Sequence, residues 1–302
     1  MSALDQQLTD AAAAGDLHGV QAALAAGADV RGHSSVALRV AVLQGHLAVV
    51  KCLLSAGADA AAVDGFALQT AAQAGLLPIL QCLLDAADMP DATKEAALSL
   101  AAYNGHLAVV QCLLEAGTDL HAKEDHALQK AADGGHLDVV ACLLEHGADV
   151  HANNDMALWG AVGYGHTDVV ACLLAHGAAA HEQYAFLDAA ASGGNTAIVE
   201  LLLEHGATIE DVLDQLADYS AEVQVALLAA GDVGGLSVID LARQGVCPDA
   251  VCALLERQGH GELATMISAT QMLDTLELDA RAELLADMLT RNQQAELAHV
   301  GP

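Results

Sequence analysis

Aromatic side chains are almost missing: 1 Trp, 4 Tyr and 2 Phe stand in 302 residues, although 54% of the chain is apolar. The apolar content is therefore mostly alanine, leucine and valine, which suits closely packed helices rather than a core built on large rings. Proline is scarce too, at 4 residues, and no Gly/Ser-rich stretch occurs. That argues against a disordered linker. Long apolar runs are also lacking, and none approaches the roughly 20 residues a membrane span needs. The opening MSALDQQLTDAAAAGDL has neither the basic segment nor the continuous apolar stretch of a signal peptide. The expectation is a soluble protein made and kept in the cytoplasm, unless a dedicated secretion system exports it.

Positive charge is the next shortage. Ten Lys and Arg face 40 Asp and Glu, for a formal charge of −30. Residues 200–302 hold 18 acids and 4 bases, net −14, which leaves −16 for the first 199. The charge is spread along the chain, not gathered in a tail. Such a surface repels nucleic-acid phosphates and anionic membranes, because nucleic-acid affinity is built from Lys and Arg contacts. It serves solubility, or it steers a partner with a basic surface.

What the chain does have is a period. Gly15, Gly45, Gly75, Gly105, Gly135 and Gly165 stand 30 residues apart, with Gly194 one residue early. A second series runs through Gly27, Gly57, Gly117, Gly147, Gly177 and Gly206, and a third through Cys52, Cys82, Cys112, Cys142 and Cys172. Three interlocked series define a repeat protein. Each unit reads as two helices. In ALQKAADGG, Leu128, Ala131 and Ala132 share one face of a short first helix. In HLDVVACLLEHG, Leu137, Val140 and Leu144 fall at i, i+3 and i+7, widened by Val139 and Leu143. Gly147 follows, where a left-handed conformation is cheap only for glycine. One such hairpin cannot bury its apolar face alone, so neighbours must stack.

The pattern L..AA..GHLDVV..LL..GADV.A, recurring five to seven times over roughly residues 5–210, resembles the ankyrin repeat family. The usual ankyrin unit has 33 residues and opens its first helix with Thr-Pro-Leu-His. Here the unit has 30 and opens with Ala-Leu, as in the short variant of the family. The resemblance implies an all-α solenoid of stacked helix-turn-helix repeats, with shortened turns in place of the long β-hairpin fingers, and a role in protein–protein interaction. The repeats are expected over residues 1–210, as about seven units. Degenerate helical repeats should continue the stack over 211–265, and capping helices should close it over 266–302. The third unit departs furthest, with Pro78 in the first turn of its second helix and Ala87 where other units have glycine.

Seven cysteines raise the question of metals and disulfides. Equivalent residues on stacked helices inherit a separation of about 8–10 Å. That exceeds the roughly 7 Å Cα limit of a disulfide and the reach of a zinc site. The cysteines are expected to pack as small apolar residues, and free thiols agree with a reducing compartment. Cys247 and Cys252 are a weak pair with no histidine at ligand spacing. His46, His106, His136 and His166 open second helices where the family usually has histidine, so capping or packing is expected. His121, His151 and His181 form another column. No metal, no cofactor and no catalytic motif is expected: there is no nucleophile elbow, no phosphate-cradling glycine loop and no His-Glu-x-x-His.

If the shared letters build the scaffold, the variable ones carry function. Six aromatics lie in turns or first helices: Phe66, Tyr103, Trp159, Tyr164, Tyr184 and Phe186; Tyr219 is the exception. Phe66 and Phe186 share a mostly apolar column with Val36, Ala96, His126 and Met156, which should pack where Thr-Pro sits in the longer repeat. Tyr103, Trp159, Tyr164 and Tyr184 stand where other units carry residues such as Gln, Asn, Asp or Gly, and Trp and Tyr dominate interface hot spots. Arg39, Lys130 and Lys123 could orient an acidic element of a partner; Asp133 and Asp155 could meet a basic one. The reading is a monomeric, non-enzymatic module that binds a partner protein on its concave face, chiefly through units four to six, with no nucleic acid or membrane involved. Its rivals are a secreted effector, an acidic inhibitor covering a basic enzyme, an enzyme with a cryptic site in the C-terminal segment, and a structural spacer.

Overall fold

Ser2 opens the first helix with a capping box: its hydroxyl accepts from the Asp5 N–H at 3.1 Å, and the Asp5 carboxylate accepts from the Ser2 N–H at 2.8 Å. This computed structural model describes residues 2–180, 185–230, 241, 244–257, 264 and 278–299. Among them every regular element is a helix. The chain packs as two units, Met1–Ala161 and Val162–Pro302, divided inside one helix.

The first unit holds α1 (Ala3–Ala14), α2 (Leu17–Ala25), α3 (Gly32–Leu43), α4 (Leu47–Ser55), α5 (Ala62–Gln73), α6 (Leu77–Ala86), α7 (Asp91–Tyr103), α8 (Leu107–Glu115), α9 (Ala122–Asp133) and α10 (Leu137–Glu145). It ends within α11 (Ala152–Tyr164). Odd-numbered helices pack on the next odd-numbered helix and even on even, from α1 to α9 and from α2 to α10. The result is one row of first helices backed by one row of second helices. The period makes the core: Leu8, Leu38, Leu68, Leu98, Leu128 and Leu158 are all buried, as are Leu53, Leu83, Leu113 and Leu143. Each fully buried leucine contributes about 1.5–3 kcal/mol. Ala41, Ala71, Ala101, Ala131 and Ala161 are buried without residual exposure and let the first helices approach.

The connectors hold a feature that composition did not announce. Residues 33–35, 63–65, 123–125 and 153–155 all have positive φ, between 49° and 70°. Each triplet is a left-handed turn leading into a right-handed first helix. This compact turn stands where the longer repeat has its finger. Left-handed backbone costs roughly 1–2 kcal/mol per ordinary residue; a buried side chain at the third position anchors three of the four turns, and Gly65 takes that place in the fourth. Ser35 is buried and its hydroxyl accepts from the Asp59 N–H at 2.9 Å. Asp125 and Asp155 are buried and hydrogen-bonded to His121 and His151 Nδ1, at 3.1 and 3.0 Å. The third repeat has no such turn. Ala87 there is extended, with φ −153°, and α7 starts directly after Pro90. A cleft of about 460 Å³ opens beside this irregularity, lined by Asp85, Asp88, Met89 and Lys94.

The second unit contains α12 (Thr167–Ala175), α13 (Ala185–Ser192), α14 (Thr196–Glu204), a 3-10 segment (Ile209–Asp218), α15 (Ala221–Ala230), α16 (Pro248–Arg257) and α17 (Leu278–His299). The 3-10 segment is followed by α15, which packs on α14. Buried Gln224 ties this region together: its amide donates to the Tyr219 carbonyl at 2.8 Å and accepts from the Cys247 N–H at 2.6 Å. Cys247 is half-buried and Cys252 buried, and neither forms a disulfide.

Candidate functional site

The histidines that open second helices do not cap them, since no side-chain cap bond forms at His46, His106 or His136. Each reaches back a unit instead. Their Nε2–H groups donate to the carbonyls of Ala13, Gln73 and Tyr103, at 3.1, 3.0 and 2.9 Å. A further column, His146, His176 and His205, closes second helices by donating from Nδ1 to the carbonyl four residues earlier, at 2.7–2.8 Å. The cysteines are all free, and most sit half-exposed at the edge of the core instead of inside it. Burial pushes the Cys112, Cys142 and Cys172 thiols above their ordinary value, which disfavours the reactive thiolate. Among the described residues no group of three or more His, Cys, Asp or Glu is arranged to hold a metal.

The variable positions of the first unit fall on the outward side of its first helices. Eight large apolar side chains are exposed among the described residues, and five of them lie here: Leu43, Phe66, Tyr103, Met156 and Trp159. These five side chains stand on first helices of the first unit. Their exposure revises the reading of Phe66 and Met156, which were assigned to packing and are 37% and 38% exposed. Phe186 from the same column is fully buried, as expected. Leu43, absent from the residues the sequence singles out, shares a column with Tyr103 and is exposed as Tyr103 is.

The charges on this face are few and mostly satisfied internally. Lys130 pairs with Asp133 at 2.8 Å, and its ammonium lies 6.0 Å from the Tyr103 ring centroid. Gly160 makes room for the pair, since a Cβ there would collide with the Asp133 carboxylate. Arg39 stands over Phe66, its guanidinium carbon 4.9 Å from the ring centroid. Lys123 sits in a left-handed turn at the edge of the face. Asp155 is not presented on the face at all: it is 4% exposed and tied to His151, in the same column as Ser35 and Asp125. Tyr164 lies in the second unit, 69% exposed, with its ring stacked 6.2 Å from that of His166. Tyr184 and His181 lie outside the described residues.

Comparison with known proteins agrees with the period. The family model described as ankyrin repeats (3 copies) matches residues 68–154 and 128–213, and the single ankyrin repeat model matches residues 35–65. The chain is similar to the solved human ASB11 ankyrin repeat domain, at 25% identity over 70% of this chain and 86% of that one, with a TM-score of 0.41. It is also similar to the ankyrin repeat domain of Bcl-3, a member of the IkappaB protein family. That likeness has 26% identity over 65% of this chain and 97% of that one, with a TM-score of 0.53. No curated protein matches it significantly.

Proposed function

Because the chain belongs to the ankyrin repeat family, whose repeats mediate protein–protein interaction, we propose that it binds a partner protein on the first-helix face of its first unit. In an ankyrin stack this is the concave side. The carrying observation is that Leu43, Phe66, Tyr103, Met156 and Trp159, on first helices of the first unit, are five of the eight exposed large apolar side chains among the described residues. Rigid aromatics of this kind bury large area at small entropic cost, and they anchor interfaces. Ankyrin repeat proteins are typically non-enzymatic modules, and we assign this chain no catalysis.

The test is capture of a partner from native lysate by the full chain, wild type beside a Tyr103→Ala, Trp159→Ala double variant. Both side chains are part-exposed, so helicity and the melting curve should barely change. Partner affinity should weaken by about 2 kcal/mol or more, the scale of interface hot spots. Undiminished capture would show that this face is not the one used.

A further inference from the structure

Resting on that docking-face reading, we propose that Arg39 receives an acidic side chain of the partner, on a segment that places a large apolar residue beside the acid. The chain has four acids for every base, yet the contacts between acidic and basic side chains among the described residues join Lys94 to Asp91, His121 to Asp125, Lys130 to Asp133 and His151 to Asp155. Arg39 is in none of them. Its Nε is covered by protein and has no hydrogen-bond partner. Its guanidinium rests on the Phe66 ring of the neighbouring helix.

The residues in register with Arg39 on the following first helices are Gln69, Ser99, Gln129 and Trp159, none of them acidic. Asp64 and Glu124 stand exposed in the turns that open α5 and α9, while farther along the helical face Asp133 is held by Lys130 and only 18% exposed. The register position of Arg39 thus carries a positive charge with no carboxylate paired to it, inside a molecule that is strongly negative overall. A partly dehydrated guanidinium fixed on a ring is preorganised for a carboxylate, because its planar fork offers paired donors without further ordering. Leu43, one helical turn beyond Arg39 and 58% exposed, supplies the apolar neighbour. The sequence alone left the sign of the partner open, offering Asp133 and Asp155 to a basic element. The structure takes Asp155 into the scaffold and neutralises Asp133, and charge complementarity then selects an acid.

The experiment is selection of random dodecamer peptides displayed on phage against the immobilised full chain, followed by affinity measurement with synthetic peptides on four proteins. These are wild type, Arg39→Gln, Arg39→Glu and the Tyr103→Ala, Trp159→Ala variant, each checked by circular dichroism and thermal melting. The Gln variant keeps the packed stem and removes only the charge. The expected clones carry Asp or Glu beside a large apolar residue and bind Arg39→Gln about ten-fold more weakly. Replacing their acid by Lys should restore binding to Arg39→Glu and abolish it on wild type. Clones indifferent to Arg39→Gln but weakened by the aromatic variant overturn the Arg39 assignment and leave the docking face standing. Clones indifferent to both overturn the two together. Enrichment of Lys and Arg, or no enrichment at all, likewise overturns the acidic occupant.

Discussion

The Nε2–H of His136 donates a 2.9 Å hydrogen bond to the carbonyl oxygen of Tyr103, in the preceding repeat. The ring that makes this bond lies against Gly105, where an added Cβ would collide with it. Two of the strongest letters in the repeat, the glycine and the histidine, are therefore one interaction between neighbouring units. Gly45 faces Leu76 instead of a histidine, and a Cβ there would sit at an ordinary 3.9 Å. Both glycines have φ near 73°, at 75° and 72°, so both Ala variants carry the left-handed cost of roughly 1–2 kcal/mol. Gly105→Ala should cost about 1 kcal/mol beyond that, by displacing the ring and its bond. His136→Ala should abolish the excess, which a double-mutant cycle in urea unfolding would read as coupling. Equal losses for Gly45→Ala and Gly105→Ala would show that the ring is not the constraint.

Val63 sits in a left-handed turn with φ 55° and is 48% exposed. A β-branched residue tolerates that region poorly, whereas Asn adopts it readily. The same chain supplies the precedent, because Asn153 occupies the equivalent position with φ 52°. Val63→Asn should stabilise the protein by about 1 kcal/mol. Val63→Gly should help less, because glycine also frees the unfolded chain. An unchanged or lower urea midpoint for the Asn variant would mean that the turn is not left-handed in solution.

These turns mark where sequence reading stops. The core was legible because burial must recur with the period: Leu38, Leu68, Leu98 and Leu128 could lie nowhere else. Handedness of a three-residue connector leaves no such trace, since Val63 and Lys123 adopt it as Asn153 does. The histidine bonds were equally hidden, because their acceptors are main-chain carbonyls 33 residues back. On the face, exposure of Tyr103 and Trp159 followed from register. Asp155 misled because its chemistry suggested a binding group, while its column, shared with Ser35 and Asp125, pointed to a buried anchor.

His126 lies half-buried on α9, with Nδ1 3.2 Å from the Ser99 hydroxyl oxygen. Burial, then the nearby Lys130 and Lys123 charges, hold its pKa below the ordinary histidine value, against a weaker opposite pull from Asp133. The folded chain thus binds fewer protons at this ring than the unfolded chain does. Its contribution to stability falls as pH drops through about 6.5 and levels off once the folded ring titrates. Relative to wild type, His126→Asn should flatten the loss of stability between neutral and mildly acidic pH. An NMR titration of the ring with a midpoint at or above the ordinary value would contradict this.

In the second unit, the Tyr219 hydroxyl donates to Asp188 Oδ1 at 2.7 Å, joining the end of the 3-10 segment to α13. The phenol is 8% exposed, and its acceptor also receives the Ser192 hydroxyl at 3.4 Å. Burial, then the bond to the Asp188 carboxylate, pushes the phenol pKa far above its usual value. The neutral phenol is therefore favoured by folding, and its stabilisation is complete below pH 10 and is lost as pH rises beyond it. Tyr219→Phe keeps the ring and deletes only the donor, leaving a carboxylate with one fewer partner. Loss of a hydrogen bond to a charged acceptor costs about 1.5–3 kcal/mol, which should appear as faster amide exchange across residues 209–230. Absorbance titration of the wild type should show one phenol ionising late, and that step should vanish in Tyr219→Phe. If it persists, another tyrosine carries it, and the 3-10 segment is held by apolar packing of Ile209, Val212 and Leu216 alone.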